Sequence, residues 1–320
     1  MKKLTLKGLW QVLKESFIGF SENKVLKLSG ALAYYTIFSM APLLIVIIFL
    51  CSIFFGRADT EVSIYNQIES FVGSDTALQL QQIITNASLE GKSNFAVVIG
   101  IITLLIGATT VFAEIQESIN MIWGLKPKPK KGWLKMLQNR LLSFSVVIGL
   151  GFLLLVSLAV SAIIEALMDK LKDVFPGIAV IALYILSLLV SFVVITILFG
   201  GIFKVLPDAQ IKWKDVLAGA IATAILFMIG KFAISFYISK SNIGSTYGTA
   251  GSLVVLLLWI YYSAVILYFG AGFTKAYAIK YGSAIHPDDY AVVTKTIELE
   301  AGEGTAVQEK ELQKKQGNKN

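Results

Sequence analysis

Along most of this chain apolar residues do not alternate with polar ones; they run together. Uncharged stretches cover 28–56, 93–113, 141–164, 174–203 and 241–274, and a sixth, 216–239, is interrupted only by Lys231. Each meets the roughly 20 residues that a helix rising about 1.5 Å per residue needs to cross a hydrocarbon core about 30 Å thick. Lipid cannot satisfy a bare backbone, so such runs read as helices. A closed barrel would need alternation, and Leu253-Val254-Val255-Leu256-Leu257-Leu258 has none. The pattern predicts an all-α, polytopic membrane helical bundle over 28–282. Its six transmembrane helices fall at about 28–56, 93–123, 141–166, 174–203, 216–239 and 247–274.

Three segments outside the spans carry patterns of their own. In 1–27, Leu6, Leu9, Leu13, Phe17 and Phe20 recur at helical spacing, with Trp10 beside them and Lys7 and Lys14 opposite. This predicts an amphipathic helix, lying either on the inner leaflet or against the protein's own cytoplasmic face. The 57–92 loop spaces Ile64, Ile68 and Phe71, then Leu80, Ile83, Ile84 and Ala87, like two short amphipathic helices, an external cap. From 283 to 320 the chain is polar with mixed charge and no apolar period, which predicts a disordered cytoplasmic tail.

Composition agrees with a membrane protein. Of 320 residues 56% are hydrophobic and 15% charged, against about 25% charged in a soluble domain, and mean hydropathy is +0.72. The net charge of +7 matters less than its placement. Lys126, Lys128, Lys130, Lys131, Lys135 and Arg140 fall between the second and third spans, and Lys204, Lys212 and Lys214 between the fourth and fifth. Further lysines precede the first span and follow the last. The opposite loops hold only Arg57, Lys92, Lys170, Lys172 and Lys240. The positive-inside rule therefore predicts both termini in the cytoplasm. No cleavable signal peptide is expected: the first run is too long and begins too late. Without an organelle presequence, the bacterial cytoplasmic (inner) membrane is the expected location.

Candidate chemistry is sparse. The single Cys51 permits no intrachain disulfide, and the single His286 lies beyond the last span, so no metal centre and no cofactor are expected. Gly230-Lys231 is not a phosphate-binding loop, because no glycine stands five residues earlier and Phe232 follows. Lys231 is the sharpest feature. It lies 16 residues past Asp215, roughly 24 Å along a helix, and an ammonium there costs about 3 kcal/mol in hydrocarbon. It either snorkels to the outer headgroups or serves an anion in a hydrated cavity, with Glu165 as the protein partner. Glu114 and Glu117, with Gln116 and Asn120 nearby, are candidates for a proton or cation relay, or plain cytoplasmic residues facing the basic loop. In the first span Pro42 removes the bond to the Phe38 carbonyl and predicts a kink, which the hydroxyls of Tyr35, Thr36 and Ser39 can fill. Leu206-Pro207-Asp208 predicts a turn. Gly100, Gly107, Gly219, Gly230, Gly270 and Gly272 allow close helix packing.

Three stretches together resemble the YihY / virulence factor BrkB family of bacterial inner-membrane proteins, over roughly residues 10–280. They are Ala31-Leu32-Ala33-Tyr34-Tyr35-Thr36-Ile37-Phe38-Ser39-Met40-Ala41-Pro42-Leu43-Leu44, then Asn120-x-x-Trp123, then Tyr247-Gly248-Thr249-Ala250-Gly251-Ser252 running into Leu256-Leu257-Leu258-Trp259-Ile260-Tyr261. The family typically closes its last span with Gly-Ala-Glu, where this chain has Gly270-Ala271-Gly272. The resemblance implies an envelope protein, of a kind associated in some members with serum resistance or lipid export. The family's older label, ribonuclease BN, finds no support in these residues, and neither an enzyme nor a nucleic-acid partner is expected. Two functions fit. One is a permease or lipid flippase for an anionic or amphipathic substrate, its pathway drawn from Lys231, Tyr35, Ser39, Pro42, Glu165, Tyr247 and Trp259. The other is a non-transporting envelope scaffold or assembly factor. Membrane lipids are partners in both, and a homo-oligomer is compatible with either.

Overall fold

A computed structural model describes residues 5–39, 110–127, 178–240, 251–282, 285–288 and 291–294, with isolated helical positions between 62 and 81. In chain order the elements are α1 (Leu6–Glu22), α2 (25–39), α3 (110–123), β1 (Leu125–Pro127), α4 (Ile178–Val205), β2 (Ala209–Gln210), α5 (Trp213–Lys240), α6 (Gly251–Tyr281), β3 (His286–Pro287) and β4 (Ala291–Val293). Three stretches are long and apolar enough to cross a membrane: Ile185–Val205, Trp213–Ile234 and Leu253–Tyr281. The bundle is mostly helical, as the run lengths predict.

α5 and α6 cross antiparallel through a reciprocal contact. Each carries a Gly-x-x-x-Thr, Gly219 to Thr223 and Gly270 to Thr274. Gly219 receives the side chain of Thr274, and Gly270 receives that of Thr223, so tightly that a Cβ at either glycine would collide. The Thr223 hydroxyl donates to the Gly219 carbonyl and the Thr274 hydroxyl to the Gly270 carbonyl, both at 2.7 Å. Each threonine thus satisfies its polar atom on its own helix and offers shape to the other. Farther along, Tyr262 lies against Gly230.

The main core joins α2, α3, α4, α5 and α6. Val25 and Leu32 of α2 meet Ile115, Ile119 and Ile122 of α3, Phe199 and Phe203 of α4, Val216 and Ala220 of α5, and Tyr268 and Ala271 of α6. The outward faces stay apolar: Ile185, Leu189, Val193 and Ile197 of α4, and Leu217, Ile225, Ile229 and Phe236 of α5, are exposed. So much exposed aliphatic surface is stable in lipid and not in water.

α1 is capped by Thr5, whose hydroxyl accepts from Gly8 N–H at 3.2 Å. Of the two positions open for this helix, the described one is a seat on α6. Gly8 meets Tyr281, Val12 and Ser16 are buried, and the Phe17 ring packs at a tilt against Phe269, their centroids 5.0 Å apart. The opposite edge, with Leu6, Trp10 and Ile18, remains exposed.

One expectation needs correcting. The tail does not lose its order at 283: β3 pairs antiparallel with β2, and β4 with β1. Pairing to strand edges left by two interhelical loops supplies the partners, and Ala291 is buried beneath. Strands of two or three residues are too short to show a period. The expectation for 295–320, the external cap apart from its isolated helical positions, and the third span lie outside the described residues.

Candidate functional site

The end of the bundle that carries α1, the α4–α5 turn and the four short strands is held by side chains of α3. This helix stops at Gly124, whose φ of 73° suits glycine, and the chain turns into β1. Just before that stop, Trp123 Nε1 donates to the Ala271 carbonyl at 3.0 Å. In return Lys275 Nζ donates to the Ile122 carbonyl at 2.7 Å, satisfying one of the oxygens that a helix end leaves unpaired. α3 and α6 are therefore pinned in both directions.

One turn earlier on α3, two amides converge on Asp208 in the turn between α4 and α5. Gln116 Nε2 donates to Oδ1 at 3.1 Å and Asn120 Nδ2 to Oδ2 at 2.9 Å. The Asp208 backbone N–H returns a bond to Asn120 Oδ1 at 2.9 Å. The carboxylate is 3% exposed, and with both oxygens bonded its burial is tolerable. The Asp208 carbonyl also accepts from Asp288 N–H at 3.2 Å. A single residue so ties α3, the turn and the segment that carries β3.

Beside this knot opens a cavity of about 900 Å³. Asn23, Lys24, Lys27 and Leu28 form its wall from the α1–α2 junction, and Ala113, Gln116, Glu117, Asn120 and Met121 its wall from α3. Lys126 of β1, Asp208, Lys275 and Thr294 close it, with Glu22 at the edge. Its lining mixes charged and amide side chains with apolar surface, at the end of a bundle whose body is apolar, a size and place suited to a small ligand or headgroup.

The two candidate carboxylates have different surroundings. Glu117 faces the cavity, whereas Glu114 is half-buried and accepts from the Ser118 hydroxyl at 3.5 Å. Lys231 is half-buried on α5. One turn before it Phe227 meets Trp259, which is 4% exposed in the core, their rings 6.2 Å apart. On α2, Ser39 is buried and Tyr35 partly exposed. Pro42, Glu165 and Tyr247 lie outside the described residues. The fully buried hydroxyl of Ser29 has no hydrogen-bond partner among the described residues, and that of Tyr268 lies beside the Ser118 hydroxyl. No group of His, Cys, Asp and Glu among the described residues could hold a metal ion. Asp208 and the cavity lysines were missed as site residues, because the contacts that define them span most of the chain.

The sequence profile of the virulence factor BrkB family matches residues 16–290. The chain belongs to this family. A UPF0761 membrane protein of Stenotrophomonas maltophilia is 29% identical over 264 residues, 81% of this chain and 59% of the relative. The chain thus spans about three fifths of that relative's length. A UPF0761 membrane protein of Mannheimia succiniciproducens is 27% identical over 285 residues, 86% of this chain and 92% of its own. A Bacillus subtilis protein named ribonuclease-like, YfkH, is 26% identical over 262 residues, 81% of this chain and 92% of the relative. No solved structure matches. Within this BrkB family chain the Asn120-x-x-Trp123 signature has a structural meaning: one residue holds the α4–α5 turn and the other holds α6.

Proposed function

We propose that this membrane protein is a multi-pass permease or lipid flippase of the bacterial cytoplasmic membrane, handling an anionic or amphipathic substrate. The observation that carries the reading is the cavity, lined in part by charged and amide side chains, cut into the basic end of an apolar bundle. In this reading that end faces the cytoplasm and the cavity receives the substrate there. Lys231, 16 residues past Asp215 on α5 and so roughly 24 Å farther along, supplies a second cationic point toward the outer side. The orphaned hydroxyl of Ser29 marks an interior position that water or a polar substrate would complete.

The test is translocation of fluorescent phosphatidylglycerol and phosphatidylcholine analogues in proteoliposomes, read by chemical quenching of the outer leaflet, with a parallel anion-efflux assay. Transport above that of empty vesicles is expected. Lys231→Arg should keep most of it and Lys231→Met lose about tenfold, because the charge and not the stem is needed. Vesicles no faster than empty ones in every arm would end the transport reading.

The scaffold reading has its own support in the interlock of Gly219 with Thr274 and Gly270 with Thr223, which closes α5 on α6. A bundle built only for docking would show no transport and unchanged behaviour on replacing Lys231. We assign no ribonuclease activity to this chain; the ribonuclease-like name belongs to the Bacillus relative. Cleavage of pre-tRNA by purified protein, lost on mutating one of its own carboxylates, would reverse that assignment.

A further inference from the structure

The cavity at the basic end has a cationic side that the local fold does not favour. Lys24 joins α1 to α2, Lys27 stands in the first turn of α2, and Lys126 comes from β1. Lys24 holds a φ of 52°, the one positive value at a non-glycine residue among those described. Glycine is the residue that suits such a turn at a helix end. Lys27 runs against a second rule. The first turn of a helix carries the positive end of its dipole and favours acidic side chains, yet α2 opens Val25-Leu26-Lys27-Leu28. The positive-inside rule asks for cations on this side of the membrane, but not at these two positions.

What the three lysines share is the cavity, which they line from separate parts of the fold. Among the described residues none of their ammonium groups has an ion pair or hydrogen bond, whereas that of Lys275 is tied to the Ile122 carbonyl. The carboxylates around the cavity are largely engaged. Asp208 accepts from Gln116 and Asn120, and Glu22 lies within electrostatic reach of Lys275. Glu117, on the α3 wall, is one charge against three. Three ammonium point charges suit a phosphate, which offers an oxygen to each. A planar carboxylate is best met by the fork of an arginine, and none of the described residues lining the cavity is arginine.

We infer that this cavity is a phosphate-binding site. Lys24, Lys27 and Lys126 hold the phosphate of a lipid headgroup or of a free phosphate ester. The inference rests on the transport reading for the cavity's role and deepens it by naming the group the cavity takes.

The test uses the full-length protein in detergent and two pairs of probes that differ only in the phosphate. Equilibrium dialysis compares glycerol phosphate with glycerol, and native mass spectrometry compares phosphatidic acid with diacylglycerol of the same chains. At least one phosphorylated probe should be retained about tenfold over its partner. Retention in the lipid pair alone assigns the site to a headgroup, and in the soluble pair alone to a free ester. Retention in both assigns it to phosphate in either form. No preference in either pair would overturn the site. Lys24→Gly is the sharper arm: binding should fall about fivefold, while the thermal unfolding midpoint stays at or above the parent's because the positive φ no longer carries a side chain. Lys27→Gln should weaken binding by a similar factor. Lys212→Gln with Lys214→Gln, exposed lysines away from the cavity, should leave it unchanged. Undiminished binding by Lys24→Gly and Lys27→Gln, or an equal loss in the Lys212 and Lys214 control, would also overturn the site. Binding is read without translocation, so a failed flippase assay and a failed phosphate site are separate results.

Discussion

Asp208 stands in a stretch that hydrophobic patterning marks only as a break between two helices, yet its carboxylate organises the basic end. Replacing it by alanine would strand the Gln116 and Asn120 amides in a buried setting, at a cost of about 2–4 kcal/mol. Asp208→Asn keeps the volume and one acceptor but turns an NH₂ group toward a donor, and about half that loss is expected. Thermal unfolding in detergent should rank the parent above Asn and Asn above Ala; equal midpoints for all three would mean that the knot contributes nothing. The same scale shows what a sequence hides. Asn120 and Trp123 stand out through their family resemblance, and Gln116 lies beside them, but their partners are 88 and 148 residues away in the chain. No local period encodes such a pairing. Glu114 and Glu117 were legible as neighbours on a helix, and the reach of Ser118 back to Glu114 is an i, i+4 contact within α3, whereas only the surrounding elements put Glu117 on the cavity.

Helices were the most legible elements, because a run of apolar residues long enough for a bilayer leaves few alternatives. Their contact faces were half-legible: Gly219, Gly230 and Gly270 stood out as small residues, but which side chain enters each depends on the crossing of α5 over α6. That crossing makes a clear prediction about shape against polarity. Gly219→Val places two methyl-bearing branches where Thr274 sits, and a loss of at least about 2 kcal/mol is expected from overpacking. Thr223→Val keeps the shape that fills Gly270 and deletes only a bond to its own helix carbonyl, so less than about 1 kcal/mol should be lost. Unfolding by titration with a denaturing detergent would compare them. If Thr223→Val proved the more damaging, hydrogen bonding and not close approach would be holding the pair. The strands were illegible for a different reason. β1 to β4 are two or three residues each, and they exist because loops from distant parts of the chain meet, so polar composition alone led to the expectation of disorder from 283.

At the scale of the molecule, those small strands constrain the membrane topology. β1 pairs with β4 and β2 with β3, Asp208 reaches α3, and α1 docks on α6 beside Tyr281. The chain near 5–24, 125–127, 205–212 and 282–294 is therefore gathered at one end. Segments on the same side of a bilayer must be separated by an even number of crossings. α5 and α6 supply two between β2 and β3. Between β1 and β2, α4 supplies one, and the apolar run at 141–166 is the one stretch in 128–177 long enough, at roughly 20 residues, to supply the other. Between α1 and β1, the runs beginning at 28 and at 93 supply a further pair. This parity argument uses no charge and predicts six spans, the number that the distribution of Lys and Arg predicts by a different route. The shared end is also where the basic residues collect, so it is predicted to face the cytoplasm. Reporter fusions after Lys131 and Lys212 should read as internal, and those after Leu89, Lys172 and Ser241 as external. A single reversed loop would break the parity, and with it the cytoplasmic placement of the cavity on which the transport reading depends.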